Sequence, residues 1–281
     1  MASLHTALQD SRDDVHFLFK SSPFGTQSHG HNPHNTFQLN AYGECLLTTC
    51  VYRDLHGSRF HYEWAHSTVA HNGVLVNGEG QIKHTPAPHG RIAEVQLTPQ
   101  WDYVVGDATD AYGGRLARFH RHVVFVKPRA AASATVPFIV VCDDLEAKEP
   151  STFQFMLHGL RAFEIDESKA RLSTEQQRAG VDVQYLSTTA LRFRQWDGFT
   201  PPPSREFSNQ WHVKASTVDK QPQLAMLTVI VPYREGQRPE WSAERIETDE
   251  AVGVRMVSGR ERTTVSIPKP NKSGTIRVER E

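Results

Sequence analysis

The sequence predicts an all-β protein, a large antiparallel two-sheet sandwich built from residues 1–281 as one domain. Three observations carry this expectation. Short apolar stretches, alternating or continuous, recur along the chain, and turn-forming residues separate them. No stretch shows a sustained helical period. Parallel strands need a long crossover, usually helical, between them, and the sequence offers none.

Taken in order, residues 3–10 read as a short helix or a frayed end. Strand-like stretches follow at 15–19, 37–42, 73–76 and 120–126. Others fall at 137–142, 152–157, 191–194 and 223–231, and the last at 252–257, 263–267 and 274–278. In the 37–42 stretch, Phe37, Leu39 and Ala41 alternate with Gln38, Asn40 and Tyr42, the pattern of a strand with one buried face. Asn77-Gly78, Tyr112-Gly113-Gly114 and Asp197-Gly198 mark turns. The Pro-rich stretch 200–204 reads as a loop rather than a domain linker.

Composition narrows the function. A formal charge of -1 argues against nucleic acid and against an anionic membrane surface, whose partners carry a basic excess. No apolar run approaches the ~20 residues of a membrane helix. The amino terminus, MASLHTALQDSRDD, lacks the basic and apolar segments of a signal peptide, so none is expected. Cys45, Cys50 and Cys142 are spaced for neither a disulfide framework nor a zinc knuckle.

Histidine is the informative residue. Eleven of the 15 precede residue 90, which concentrates the expected chemistry in the first third. His29, His31 and His34 fall within SPFGTQSHGHNPHNTF, and His29 and His31 would share one face of a strand. His56, His61, His66 and His71 form a second cluster whose spacing of five fits neither an α-helical face nor a strand, so a long loop is expected for the first three. His71, just before Asn72-Gly73 and the strand at 74–76, is expected at a rigid strand end. Arg53, Arg59, Tyr52, Tyr62 and Trp64 lie in the same region. Aromatic and cationic side chains together suit an acidic sugar, with the ring stacked and its carboxylate or sulfate paired. Arg53, Arg59, His61 and Trp64 are therefore candidate substrate-binding residues.

The run FLFKSSPFGTQSHGHNPHNTFQLNAYGE, followed by HSTVAHNGVLVNGEGQ, resembles the heparinase II/III-like polysaccharide lyases. The similarity continues through GDATDAYGGRLARFHRHVVFV, FIVVCDDL, FQFMLHGL, NQWHV and LTVIVPYREG, and so spans most of the chain. The resemblance implies the β-sandwich portion of such an enzyme, without the α/α toroid that precedes it in the family. It also implies an acidic polysaccharide as substrate and a toroid, in the same or a separate chain, as partner. Position by position, His29 matches the catalytic histidine of the family's H-x-H pair, and Tyr52 a tyrosine lining the cleft. His31 and His71 match two histidines that hold a structural zinc in the heparinase branch. The third ligand there is an aspartate, and Thr49 stands in its place. Pro33 likewise occupies a position that is acidic in the family. The activity implied is β-elimination at a uronate; a non-catalytic carbohydrate-binding sandwich and a uronyl C5-epimerase are the competing readings.

Overall fold

A computed structural model of the protein describes residues 1–23, 31–49, 54–86, 89–129 and 135–281. The protein is 54% strand and 6% helical, so the expected all-β class is present. The first sheet is formed in sequence order by β1 (Ala2–His5), β2 (Val15–Lys20), β3 (Thr36–Ala41) and β4 (Glu44–Leu47). Then come β5 (Val74–Val76), β6 (Arg91–Leu97), β7 (Trp101–Asp107), β8 (Leu116–Val126) and β9 (Phe138–Ser151). They are followed by β10 (Phe153–Gly159), β11 (Glu164–Asp166), β12 (Arg171–Glu175) and β13 (Ala179–Leu186). β14 (Leu191–Asp197), β15 (Trp211–Thr217) and β16 (Gln221–Arg234) come next. A last sheet runs β17 (Trp241–Glu247), β18 (Ala251–Ser258), β19 (Glu261–Pro268) and β20 (Arg277–Arg280).

Two further sheets complete the sandwich, and every strand pair among the described residues is antiparallel. One has the order β14-β15-β10-β5; the other, eight-stranded, runs β11-β12-β13-β16-β9-β8-β7-β6. The wide sheet is covered on both faces. Its residues Val123, Phe125, Ile139 and Val141 join Phe17, Leu39, Val74 and Phe155 in one core. The alternate residues Val124, Val126, Val140 and Cys142 join Val254, Met256 and Val265 in a second. A period of two sends neighbours in one strand to opposite cores, which is why β8 and β9 read as nearly continuous apolar runs. The expected sandwich therefore carries a further sheet on its outer face.

Two local expectations change. Residues 3–10 do not begin a helix: Ala2 to His5 pair with β2, and Leu4 is buried. Edge pairing and one inward leucine outweigh the helical propensity of a short segment. The 56–66 region is not an irregular loop throughout. Phe60–Ala65 forms one π-helical turn, closed by His66 N–H donating to the His61 carbonyl at 3.3 Å. A bond from residue i to i+5 is the definition of that turn, so the histidine spacing of five has a helical explanation after all. Elsewhere, Tyr42 (φ 55°) and Gly43 (φ 83°) turn β3 into β4 with both residues left-handed, the geometry that suits a two-residue hairpin.

Candidate functional site

The candidate site lies where the segment entering β3 meets the segment entering β5. His31 Nδ1 and His71 Nε2 stand 2.8 Å apart, with the rings edge to face. His71 Nδ1 meets the Ser67 carbonyl at 2.8 Å, which directs its other nitrogen at His31. The half-buried Lys20 holds the His31 side, donating to the carbonyls of His31 (2.7 Å) and Pro33 (2.8 Å). Burial brings its ammonium down to about 8. Gln81 clamps the next residue from both sides, accepting from His34 N–H and donating to the His34 carbonyl, each at 2.7 Å. Between them, the Asn32 amide is buried, and neither its nitrogen nor its oxygen has a partner among the described residues.

More imidazoles stack beside the pair. The π turn brings His61 and His66 to a ring separation of 4.2 Å, His66 stacks on His84 at 5.1 Å, and His31 lies 6.1 Å from His66. Burial, helped by His61, His31 and His84, lowers the His66 pKa to about 3. Burial and then His31 drive His71 well below its ordinary value. His66 and His71 are therefore neutral near pH 7 and bear no charge of their own.

Behind the site is a buried polar network. Asn72 donates to the carbonyls of Phe37 (2.9 Å) and Thr48 (2.7 Å) and accepts from His158 N–H at 2.9 Å. Arg121 reaches the Asn72 and Asn35 carbonyls at 2.8 and 2.6 Å, while its other nitrogens grip Asp143 at 2.5 and 2.8 Å. His158 on β10 and His212 on β15 face each other directly in register, with Nδ1 atoms 2.7 Å apart. His212 Nε2 donates to the Gly198 carbonyl at 2.7 Å. This network fixes the backbone on either side of His71.

A family model described as "Heparinase II/III-like, C-terminal" matches residues 5–265. The chain belongs to the heparinase II/III-like family. A mutant form of heparan sulfate lyase HepC from Pedobacter heparinus superposes with a TM-score of 0.74 at 15% identity, covering 95% of this chain and 41% of that one. A heparinase III structure gives 0.71 at 16% identity, with coverage of 95% and 41%. The heparinase II/III-like chain studied here thus spans about two fifths of the length of the lyases it resembles. No curated protein matches it at the level of sequence.

Against the family pattern, His31 and His71 are brought together across forty positions of chain. His29, Tyr52 and Arg53 lie outside the described residues. Thr49 does approach the pair's surroundings, its hydroxyl donating to the Ala70 carbonyl at 3.4 Å. Asp54 is buried and its carboxylate accepts from Ser204 N–H at 2.9 Å, while Glu44 opens β4 opposite Ala41. Two zinc-bound nitrogens at about 2.0–2.1 Å in tetrahedral geometry stand about 3.3 Å apart. A slight opening of the 2.8 Å pair would therefore admit an ion, but the donor set lacks the family's carboxylate.

Arg59 is exposed and paired with Glu63 at 2.8 Å, a contact screened by water and easily exchanged for a ligand. His61 packs in the imidazole stack. Trp64 corrects the sequence expectation. Its indole is buried against Phe199 and His212, with a ring separation of 5.0 Å from His212, and cannot lie under a sugar ring. Apolar burial won over display because the π turn points Trp64 inward beside Phe60. Sequence reasoning missed Lys20, Gln81, Asn72, Arg121, His158 and His212. The visible signal was polar residues inside apolar strands, as in HRHVVFV and FIVVCDDL.

The buried neutral histidines set a pH dependence. His34 and His66 have pKa values of about 3, and His71, His158 and His212 are also lowered by burial. Their unfolded values are near 6.5, so below that pH the unfolded chain binds more protons than the folded one. Their contribution is whole above about pH 6.5 and is lost as pH falls toward 3, each group adding at most about 1.4 kcal/mol per pH unit. The melting temperature is expected to drop steadily from pH 7 to pH 4. A flat profile across that window would contradict the burial of these imidazoles.

Proposed function

We propose that this chain is the β-sandwich portion of a polysaccharide lyase that cleaves uronate-containing glycans, alginate oligomers or the heparin/heparan type, by β-elimination. One observation supports this most. In a chain of this family, the second histidine of the H-x-H pair, the half-buried His31, meets the buried His71 at 2.8 Å. A fixed His31 is an anchor from which a neighbouring proton-handling residue can be positioned.

In the reaction, a base removes the C5 proton, the C4–O4 bond breaks as the C4–C5 double bond forms, and O4 leaves carrying a proton from an acid. His29 and Tyr52 take the two proton-handling roles, since neighbours tune imidazole and phenol toward working pH. Negative charge grows on the C5 carboxylate as the proton leaves, and Arg53 together with groups of an α/α toroid neutralises it. Arg59 and the His61 stack border the acidic glycan. A structural zinc held by His31 and His71 belongs to the proposal; when bound, it fixes the two imidazoles relative to each other. Thr49, a neutral ligand, makes that site weaker than one closed by an aspartate.

The test is release of unsaturated uronate, followed by its ultraviolet absorbance, from alginate and heparan fragments. The chain alone is expected to give little or no turnover, because half a site open to water stabilises charge poorly. Supplying a toroid domain should raise the rate well above that background. A binding module or a C5-epimerase would yield no unsaturated product in either condition, and that outcome would reject the lyase reading.

A further inference from the structure

The second core carries a separate constellation that the lyase chemistry does not use. His120 and His122 lie two apart on β8, facing the outer sheet rather than the His31–His71 side. Asp144 of β9 sits directly opposite His120 in the antiparallel register, and Cys142 sits opposite His122. One ligand atom from each of His120, His122 and Asp144 can be chosen so that all lie within 4.8 Å of one another. Such a cross-strand triangle is what a single ion needs, because adjacent positions on one sheet face bring Cβ atoms to about 5 Å.

The surroundings leave room for an ion there. A cavity of about 270 Å³ opens between the eight-stranded sheet and the last sheet, and its polar lining includes Arg118, His122, Asp144, Arg245, Glu247 and Lys269. Its three cationic side chains are all paired: Arg245 and Lys269 bind Glu247 at 2.8 Å, and Arg118 binds Asp144 and Glu146 at 2.6 and 2.5 Å. An anion would find no uncommitted charge there. His122 Nδ1 meets the Tyr103 hydroxyl at 2.8 Å, which fixes the ring and leaves Nε2 as its ligand atom. A second partner of that kind is the usual support of a metal-binding imidazole. His120 Nε2 lies 3.8 Å from Asp107 near the rim, giving the site a way to solvent. Arg118 holds both Asp144 oxygens, at 2.6 and 3.1 Å, and also Glu146 at 2.5 Å, so it keeps two contacts if the longer one to Asp144 gives way to an ion.

We propose that His120, His122 and Asp144 bind a divalent transition-metal ion, zinc or a close relative, on the face of the wide sheet remote from the lyase site. Two imidazoles and one carboxylate are a borderline nitrogen–oxygen set, which selects zinc, cobalt or nickel over calcium and magnesium. Three protein ligands leave a coordination position for water from the cavity. The inference stands whether or not the lyase reading holds.

Cobalt(II) is the probe, titrated into the chain after chelator treatment and followed by its visible absorption, with zinc as competitor. We expect one cobalt to persist in the His31→Ala/His71→Ala variant and to be displaced by zinc. His120→Gln and Asp144→Asn should each weaken binding more than about a hundredfold, beyond the roughly 10- to 100-fold loss typical of removing a mere supporting residue. His120 is partly exposed at the rim, so its replacement should leave the circular dichroism spectrum unchanged and is decisive by itself. No cobalt absorption in the parent chain, complete loss in a folded His31→Ala/His71→Ala variant, or binding undiminished when His120→Gln is added to that variant would each overturn the proposal.

Discussion

Replacing His29 by alanine, in this chain assembled with a toroid domain, is expected to lower elimination by about 10²- to 10⁴-fold, the usual worth of a positioned general acid or base. The loss should appear in kcat and kcat/KM together, because a proton-transfer role is exercised only in the transition state. Glycan binding, measured by calorimetry on the same variant, should change little. His31→Ala makes the control. Its imidazole is tied to His71, so its loss should disturb the site by mispositioning, with a fall in stability that His29→Ala does not share. A drop of less than tenfold for His29→Ala would remove His29 from the proton-handling role.

The largest stability effect is expected at Arg121. The guanidinium and the Asp143 carboxylate are almost wholly buried, with side chains 3% and 2% exposed. Around them the guanidinium makes four hydrogen bonds, two to Asp143 and two to backbone carbonyls. Arg121→Ala strands a buried carboxylate without a partner and frees the Asn35 and Asn72 carbonyls, a loss of about 3–5 kcal/mol. Chemical denaturation should register it as a lower midpoint with an unchanged slope. The double variant Arg121→Met/Asp143→Leu should be less damaged than Arg121→Met alone, because no charge is then left unpaired. A cost below about 1 kcal/mol for Arg121→Ala would show that water reaches Asp143.

The fold was largely legible because strands declare themselves locally. The 37–42 alternation and the apolar runs at 120–126 and 137–142 are set by which face is buried, and a window of a few residues contains that information. Strands β6 and β17 escaped notice because exposed polar residues dominate them, and β7, β12, β13 and β15 escaped it as well, although most of their residues are buried. The site was legible in part. The His31–His71 approach followed from the family resemblance, not from periodicity, since nothing local relates positions forty apart. The π turn was hidden by its rarity, although a spacing of five was its signature. Trp64 was misread because composition says that an aromatic is present and not which way it points. Arg121 and Asp143 were passed over as ordinary charges, because only the tertiary fold reveals that they meet in the core.

The pleat of β8 and β9 has a consequence for how this sequence can change by insertion and deletion. Arg121 and Asp143 face one core while His120, His122 and Asp144 face the other, so each strand interleaves two messages letter by letter. Losing or gaining one residue inside β8 would exchange them, placing imidazoles where the guanidinium belongs and carrying Arg121 to the far side. A two-residue change would preserve the parity and shift only the cross-strand partners. Length variation along these two strands is therefore expected in steps of two, or as a bulge confined to an end, like the irregularity already present between Leu116 and Arg118.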